Sequence, residues 1–297
     1  MNNDNEMDIQ AFQDLPVEAV AELMKKKGPM VCGFPINGTR RWFMLEAEKG
    51  DDYLEKIARR HTKVYRLLFD HGIDTLLAPV FGSELLNRGA DYLKLAVEGL
   101  RWLVTNPVFL HFYQEYGVRV HFYGSYRKRL ASTPYAFLSD SFDQLTRQTS
   151  QNSRCRLFFG VFADNAVGSI SEQTLQYFSE HGRGPTDQEL VELYYGEFVG
   201  PVSLFIGFDK FSMFDMPLVP TDNTDLYFTI NPSLYISQRQ LRAILFDHLF
   251  TRGAAEPDYD QLPAEAKERM RTFYYANAER VFGLGVLRDG IWYPHLT

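Results

Sequence analysis

Short apolar runs alternate with helical patterns along most of the chain, and this alternation constrains the fold more than any other feature. Six runs have the length and composition of strands, at 30–36, 73–80, 118–123, 156–162, 203–208 and 226–230. Helical spacing of apolar residues lies between them, at 16–27, 51–72, 83–100, 141–148, 169–181, 186–198 and 238–250. Strands that alternate with helices favour an α/β fold, with a central, mostly parallel sheet flanked by helices.

The 297 residues show no internal boundary. No linker rich in Pro, Gly or Ser, no repeat and no low-complexity tract interrupts them, so we predict a single domain over 1–297. Residues 1–28 are expected to form an N-terminal helical extension. The last part, 251–297, is expected to form a polar loop at 251–263 and then a terminal helix at 264–280.

Charge, cysteine content and missing motifs exclude several classes of function. Acidic residues outnumber basic ones by 38 to 31, and a formal charge of −7 disfavours binding to nucleic acid. Cys32 and Cys155 are far apart and lack metal-ligand spacing, so neither a disulfide scaffold nor a zinc site is expected. No HExxH, GxSxG or glycine-rich nucleotide-binding motif is present, which leaves metalloprotease, α/β-hydrolase and P-loop chemistry unsupported.

The same sequence predicts a cytoplasmic protein without a transmembrane segment. The start, from Met1 to Glu6, is polar and acidic and lacks the features of a signal peptide. No apolar run reaches the ~18 residues that a membrane span needs.

Ligands of open parallel sheets bind outside the carboxyl ends of the strands, so the loops after the first three predicted strands are the expected site. The first loop offers a glycine for close backbone approach, a threonine that can cap a helix, and two arginines that can hold a phosphate, at Gly38, Thr39, Arg40 and Arg41. Arg88 follows the second loop, and a basic run at 127–129 follows the third. Each basic group is equally consistent with a solvated surface, so spacing alone indicates only an anion-binding α/β protein.

Several motifs resemble those of the cis-prenyltransferases. The segment INGTRRW at 36–42 resembles the signature Asp-Gly-Asn-Gly-Arg-Trp, the block at 81–88 resembles Phe-Ser-x-Glu-Asn-Trp-x-Arg, and 225–228 resembles Glu-Leu-Tyr-Phe. From Phe34 nearly to Trp292 the chain is more similar still to a divergent branch of that family, the diterpene synthases of the tuberculosinol and kolavelool type. The shared stretches include FPINGTRRWF, LLNRG, FYGSYRKRL, FIGFDKFSMFD and DGIW. This resemblance implies the cis-prenyltransferase fold, a homodimer and Mg²⁺ as cofactor.

Two departures from the chain-elongating pattern change the function that the resemblance implies. Elongating members hold a second diphosphate with arginines in the segment that corresponds to 206–215, where this chain carries phenylalanines instead. A diphosphate buried without charged partners costs several kcal/mol or more, so elongation is not expected. The second departure is Asn37, which replaces an aspartate that holds Mg²⁺. An amide is a poor ligand for a hard dication. Three alternatives stay open: the metal binds at Asn37 mainly through diphosphate and water, the arginines suffice without it, or ionisation is weakened. We expect diphosphate release to be retained with an altered metal dependence.

The resemblance implies a substrate that is a bicyclic C20 allylic diphosphate of the tuberculosinyl (halimadienyl) or kolavenyl type. Its diphosphate is expected to bind at Gly38, Thr39, Arg40, Arg41 and Arg88. Release of diphosphate leaves an allylic cation that aromatic faces stabilise, and aromatic residues make up 15% of the chain. Water then captures the cation and gives a tertiary allylic alcohol.

We predict catalytic roles for Asn37, Arg41, Tyr53 and Tyr92, although each tyrosine is equally consistent with helix packing. A hydrocarbon or acceptor pocket is predicted at Phe208, Phe211 and Phe214. Two other functions stay open. One is transfer of the diterpenyl group to adenosine or another acceptor, and the other is a non-catalytic subunit that partners an active prenyltransferase.

Overall fold

The computed structural model describes residues 7–87, 89–164, 166–252 and 257–295. Over these residues six parallel strands form the central sheet: β1 (Val31–Gly33), β2 (Thr75–Phe81), β3 (Val118–Tyr123), β4 (Cys155–Val161), β5 (Leu204–Phe208) and β6 (Asp225–Thr229). Their order is β3-β4-β2-β1-β5-β6, so β1 and β2 lie at the centre. The predicted α/β fold with a parallel sheet is confirmed.

Helices surround the sheet. In chain order they are α1 (Ile9–Gln13), α2 (Val17–Lys27), α3 (Thr39–Glu46), α4 (Tyr53–Asp70), α5 (Ala90–Thr105), α6 (Pro107–Glu115), α7 (Tyr126–Leu130), α8 (Phe137–Thr149), α9 (Val167–His181), α10 (Asp187–Tyr195), α11 (Gln238–Phe246) and α12 (Ala264–Ala276). Helix α4 begins at the acidic pair from which the sequence predicted it. The Asp52 carboxylate caps the helix by accepting a hydrogen bond from the backbone N–H of Glu55 at 2.9 Å. No helix of the described segments is long and apolar enough to cross a membrane.

The sheet separates two hydrophobic cores because successive strand residues point to opposite faces. Phe159 joins the larger core, which α1, α2, α4, α5, α6, α8 and α11 cover. Its neighbour Phe158 joins a smaller core together with Tyr194 and Tyr195 of α10. Much of the aromatic content of the chain is therefore ordinary core material.

Three predicted elements are wrong in extent. The predicted strand at 30–36 narrows to β1, since Pro35 has no N–H to continue pairing with β5. The predicted helix from residue 83 is a 3₁₀ turn, Ser83–Asn87, and α5 begins only after Gly89, whose φ of +90° interrupts the helix. The terminal helix α12 ends at Ala276 and is followed by an antiparallel hairpin, β7 (Gly285–Arg288) and β8 (Ile291–Pro294).

Candidate functional site

The carboxyl ends of β1, β2 and β5 open into a cleft of about 900 Å³. Most of the predicted site residues line this cleft, namely Asn37, Gly38, Thr39, Arg40, Arg41, Tyr53, Tyr92, Phe208 and Phe214. Arg88 lies outside the described residues. The structure therefore brings together side chains from α3, α4, α5 and the loop after β5.

The loop after β1 is held tightly where it enters α3. Gly38 has φ +74°, and a Cβ there would lie 2.9 Å from side-chain atoms of both Phe208 and Pro232. Ser233 fixes the position of the loop. Its hydroxyl accepts a hydrogen bond from the backbone N–H of Asn37 at 3.0 Å and donates one to the backbone carbonyl of Pro35 at 2.9 Å. The first backbone N–H groups of α3 lack intrahelical partners and lie at the cleft, which favours an anion there.

Thr39 is the first residue of α3 and not its cap, because Gly38 occupies the capping position without a side chain. The Thr39 hydroxyl lies instead 3.1 Å from the hydroxyl of Tyr53 at the start of α4. Burial raises the pKa of Tyr53, so its hydroxyl stays protonated at neutral pH. The two hydroxyls form a polar pair at the floor of the cleft.

The two arginines of α3 are positioned but remain accessible. The Arg41 guanidinium lies 4.7 Å from the Phe208 ring centroid and donates to the Asp209 carboxylate at 3.1 and 3.2 Å. The Arg41 side chain is 40% exposed, so this ion pair contributes only about 0–1 kcal/mol. Arg40 lies 4.9 Å above the ring of Tyr92. An anion that enters the cleft can therefore replace Asp209 as the partner of Arg41 at little cost in free energy.

Behind the cleft, α4 and α5 enclose an apolar pocket of about 130 Å³. Tyr53, Thr39 and Tyr92 line both spaces, so the pocket opens from the floor of the cleft. Its wall consists of Leu54, Ile57, Ala58 and His61 on α4, Leu95, Ala96, Gly99, Leu100, Trp102 and Leu103 on α5, and Phe109 on α6. The sequence analysis did not predict this pocket. The sequence signal that could have indicated it is the presence of small residues, such as Ala58 and Gly99, among larger apolar residues on the same helix faces.

The three phenylalanines predicted to form one pocket do not lie in one place. Phe208 is buried beneath Arg41, and Phe214 lines the cleft. Phe211 is half exposed, lines neither space, and packs against the ring of Phe228 at 4.8 Å. Its chain neighbours Lys210 and Ser212 do line the cleft, so the side chain of Phe211 alone points away from it. The structure therefore gives no support to the predicted pocket role of Phe211.

The side chains at the cleft are a poor set of ligands for Mg²⁺. Among the described residues no group of three or more His, Cys, Asp and Glu side chains is arranged to hold a metal. Asn37 offers only an amide, and the Asp209 carboxylate is taken by Arg41. Burial, together with Asp164 and Glu84, raises the pKa of Asp215 to about 6. These side chains do not form a magnesium site of their own. The groups that can bind an anion in the cleft are its arginines and the backbone N–H groups of α3.

Comparison with known proteins agrees with this architecture. No family model matches the chain. The chain is 44% identical, over 95% of its own length and 96% of the relative's, to a protein named tuberculosinyl adenosine transferase from Mycobacterium tuberculosis (strain CDC 1551 / Oshkosh). It is 24% identical, over 92% of each chain, to (+)-kolavelool synthase from Herpetosiphon aurantiacus.

Two solved structures share the fold at low sequence identity. A probable undecaprenyl diphosphate synthase from Campylobacter jejuni superposes with a TM-score of 0.56 and 13% identity, over 76% of this chain and 97% of the other. Lavandulyl diphosphate synthase from Lavandula x intermedia, in complex with dimethylallyl diphosphate, gives 0.55 and 14%, over 80% and 98%. These neighbours confirm the predicted cis-prenyltransferase fold.

Proposed function

The chain belongs to the family of tuberculosinyl adenosine transferase, within the cis-prenyltransferase fold, and on that basis we propose that it ionises a bicyclic C20 allylic diphosphate. The observation that carries the proposal is the continuity of two spaces, a cleft with two arginines and an apolar pocket between α4 and α5. A diterpenyl diphosphate has the same division into a dianionic or trianionic end and a hydrocarbon end. The substrate class we propose is the tuberculosinyl (halimadienyl) or kolavenyl type.

The arginine-lined cleft performs the ionisation. The diphosphate displaces Asp209 from Arg41 and contacts Arg40 and the first backbone N–H groups of α3. The bond between the allylic carbon and the bridging oxygen then breaks, and both electrons stay on the diphosphate. Positively charged donors aimed at the developing negative charge lower the barrier, and each such donor is typically worth a factor of about 10²–10³.

The allylic cation forms where the cleft meets the apolar pocket. The rings of Tyr53 and Tyr92 line this junction, and cation–π attraction contributes about 0.5–2 kcal/mol per ring. The pair of hydroxyls on Thr39 and Tyr53 orients one water molecule toward the cation. Water forms the new carbon–oxygen bond, loses a proton to the departing diphosphate, and leaves a tertiary allylic alcohol.

Chain elongation is not part of the proposal. The loop after β5 contributes Asp209, Lys210 and Ser212 to the cleft, and only one of these groups is a cation. The carboxylate of Asp209 would repel a second diphosphate there. Arg41 can neutralise this carboxylate, but it is then no longer available to bind the first diphosphate. One diphosphate is the capacity of this site.

A second candidate reaction is transfer of the diterpenyl group to adenosine. The 44% identical relative carries that activity in its name, and the cleft of about 900 Å³ has room beyond that needed for a diphosphate. Ionisation is common to both reactions, and only the nucleophile differs. A non-catalytic subunit is less well supported, because Arg40 and Arg41 both lie at the cleft.

Product analysis tests the proposed function. The protein is incubated with geranylgeranyl, tuberculosinyl or kolavenyl diphosphate, with and without adenosine, and the products are identified by mass spectrometry. We expect a tertiary alcohol from a bicyclic substrate when adenosine is absent. A diterpenyl adenosine in the other arm would identify the transfer reaction, whereas no diphosphate release from any substrate would overturn the proposal.

Substitution of Asn37 tests the role of metal. Because no carboxylate occupies this position, we expect diphosphate release by the native protein to fall less than about 10-fold when EDTA replaces Mg²⁺. The Asn37→Asp variant is expected to gain a carboxylate ligand and with it a larger stimulation by Mg²⁺. Both proteins are assayed by direct detection of released diphosphate, with Asn223→Asp on an exposed turn as the matched control. Complete loss of native activity in EDTA would contradict this expectation, and no release by either protein would contradict ionisation itself.

A further inference from the structure

The inner end of the apolar pocket carries a polar side chain for which the proposed reaction has no use. His61 of α4 lines the pocket and is only 8% exposed. Neither Nδ1 nor Nε2 has a hydrogen-bond partner within the described residues. Burial lowers the pKa of His61 to about 4, so at neutral pH the ring is uncharged and offers one donor and one acceptor.

His61 lies at the end of the pocket remote from the arginines. Tyr53, at the cleft, is the first residue of α4, and His61 follows it by eight positions. A rise of about 1.5 Å per residue puts the two about 12 Å apart along the helix. The His61 ring contacts Phe109 of α6 with ring centroids 6.3 Å apart, so the surroundings at this depth are otherwise apolar.

Each of the other buried histidines of the described segments has at least one partner, although His248 Nε2 also lacks one, so His61 differs in having two unpartnered nitrogens. His71 Nδ1 bonds to the Leu67 carbonyl at 2.8 Å, His121 Nε2 to Glu197 at 3.0 Å, and His248 Nδ1 to Asp225 at 2.7 Å. A buried polar group without a partner costs about 1–3 kcal/mol. An imidazole with two unpartnered nitrogens in the wall of a pocket therefore indicates a partner that enters the pocket from outside.

Tyr65, one turn further along α4, repeats the pattern. Its hydroxyl is fully buried and has no partner among the described residues, and its ring lies 6.0 Å from that of His61. The nearby Tyr113, by contrast, donates to the Leu103 carbonyl at 3.1 Å. Three buried side-chain atoms without a partner among the described residues, two on His61 and one on Tyr65, thus lie close together behind the inner end of the pocket.

We propose that His61 hydrogen-bonds to a hydroxyl group on the terpenoid, at the end remote from the diphosphate. A hydroxyl both donates and accepts, and so matches the donor and acceptor of a neutral imidazole. This assignment rests on the proposed function and extends it, because tuberculosinyl and kolavenyl diphosphates carry no hydroxyl, and the preferred substrate becomes an oxygenated diterpenyl diphosphate of the same skeleton. A pocket with an unpartnered polar group discriminates strongly against a ligand that lacks the matching oxygen.

The test compares two probes that bind without reacting. One is kolavenyl thiolodiphosphate, and the other is its analogue with a hydroxyl on the decalin ring at the position farthest from the diphosphate. We expect the native protein to bind the hydroxylated probe at least about 10-fold more tightly by calorimetry, with His61→Leu abolishing the preference. His61→Gln keeps a donor and an acceptor and is expected to retain part of the preference for the hydroxylated probe. The control His111→Leu, on the exposed face of α6, is expected to retain the full preference.

The outcomes separate this inference from the proposed function. Equal affinity of the native protein for the two probes would overturn the inference and would mean that His61 binds only a buried water, while the proposed function would stand. Failure of both probes to bind would overturn the proposed function, and the inference with it. Because the preference is first measured on the native protein, the result does not depend on whether His61→Leu folds.

Discussion

Replacing Arg41 with alanine is expected to lower kcat/KM for diphosphate release about 100- to 1,000-fold. The guanidinium projects into the cleft and is held there by Phe208 and by an ion pair with Asp209 that the diphosphate can replace. Arg41→Lys should recover only part of the activity, since an ammonium group does not give two parallel hydrogen bonds. Steady-state assays of diphosphate release measure both variants, and their thermal unfolding temperatures should change little because the ion pair is partly exposed.

The matched control is Arg101→Ala. Arg101 lies on the exposed side of α5 and pairs with Glu98, three residues before it. We expect its kcat/KM to equal that of the native protein. Activity of Arg41→Ala within about threefold of native would show that the diphosphate binds elsewhere, which would remove the basis for the proposed reaction.

Filling the apolar pocket is expected to have the second largest effect. Gly99 faces the pocket from α5, and a Cβ there would meet only Leu54, at 3.7 Å. The ring of a Gly99→Phe variant would occupy most of a cavity of about 130 Å³, so the hydrocarbon end of a C20 substrate could no longer enter. Misplacement of the reacting carbon by about 1 Å already costs on the order of 10²-fold, so we expect kcat/KM for the C20 diphosphate to fall by at least about that factor.

Two comparisons keep this expectation specific. A C5 allylic diphosphate has no tail that reaches Gly99, so its release should be nearly unchanged in the Phe variant. Gly99→Ala adds a methyl group without a clash and should keep activity while stabilising α5 by about 0.5–1 kcal/mol. Equal loss of activity toward the C5 and C20 substrates would mean that Gly99→Phe distorts the fold and that the pocket is not the hydrocarbon site.

Sequence reasoning recovered the fold because its signals are local. The period of apolar residues and the residues that cap or interrupt helices depend on near neighbours along the chain, and the parallel sheet followed from them. The arginines and glycine of the cleft were also recovered, because one short loop carries them between β1 and α3. The errors fell where a single residue ended an element early, as Pro35 does for β1 and Gly89 does before α5.

What the sequence determined by itself is the α/β architecture, the end of the sheet at which the cleft opens, and the loop that brings two arginines to this cleft. Only the tertiary structure decided that Asp209 pairs with Arg41, that an apolar pocket lies between α4 and α5, and that His61 reaches this pocket without a partner among the described residues. The physical reason is the separation along the chain of the residues that specify each feature. A strand, a turn or a helix is specified by residues a few positions apart, whereas an ion pair or a cavity depends on how the packing of distant helices and loops closes around it.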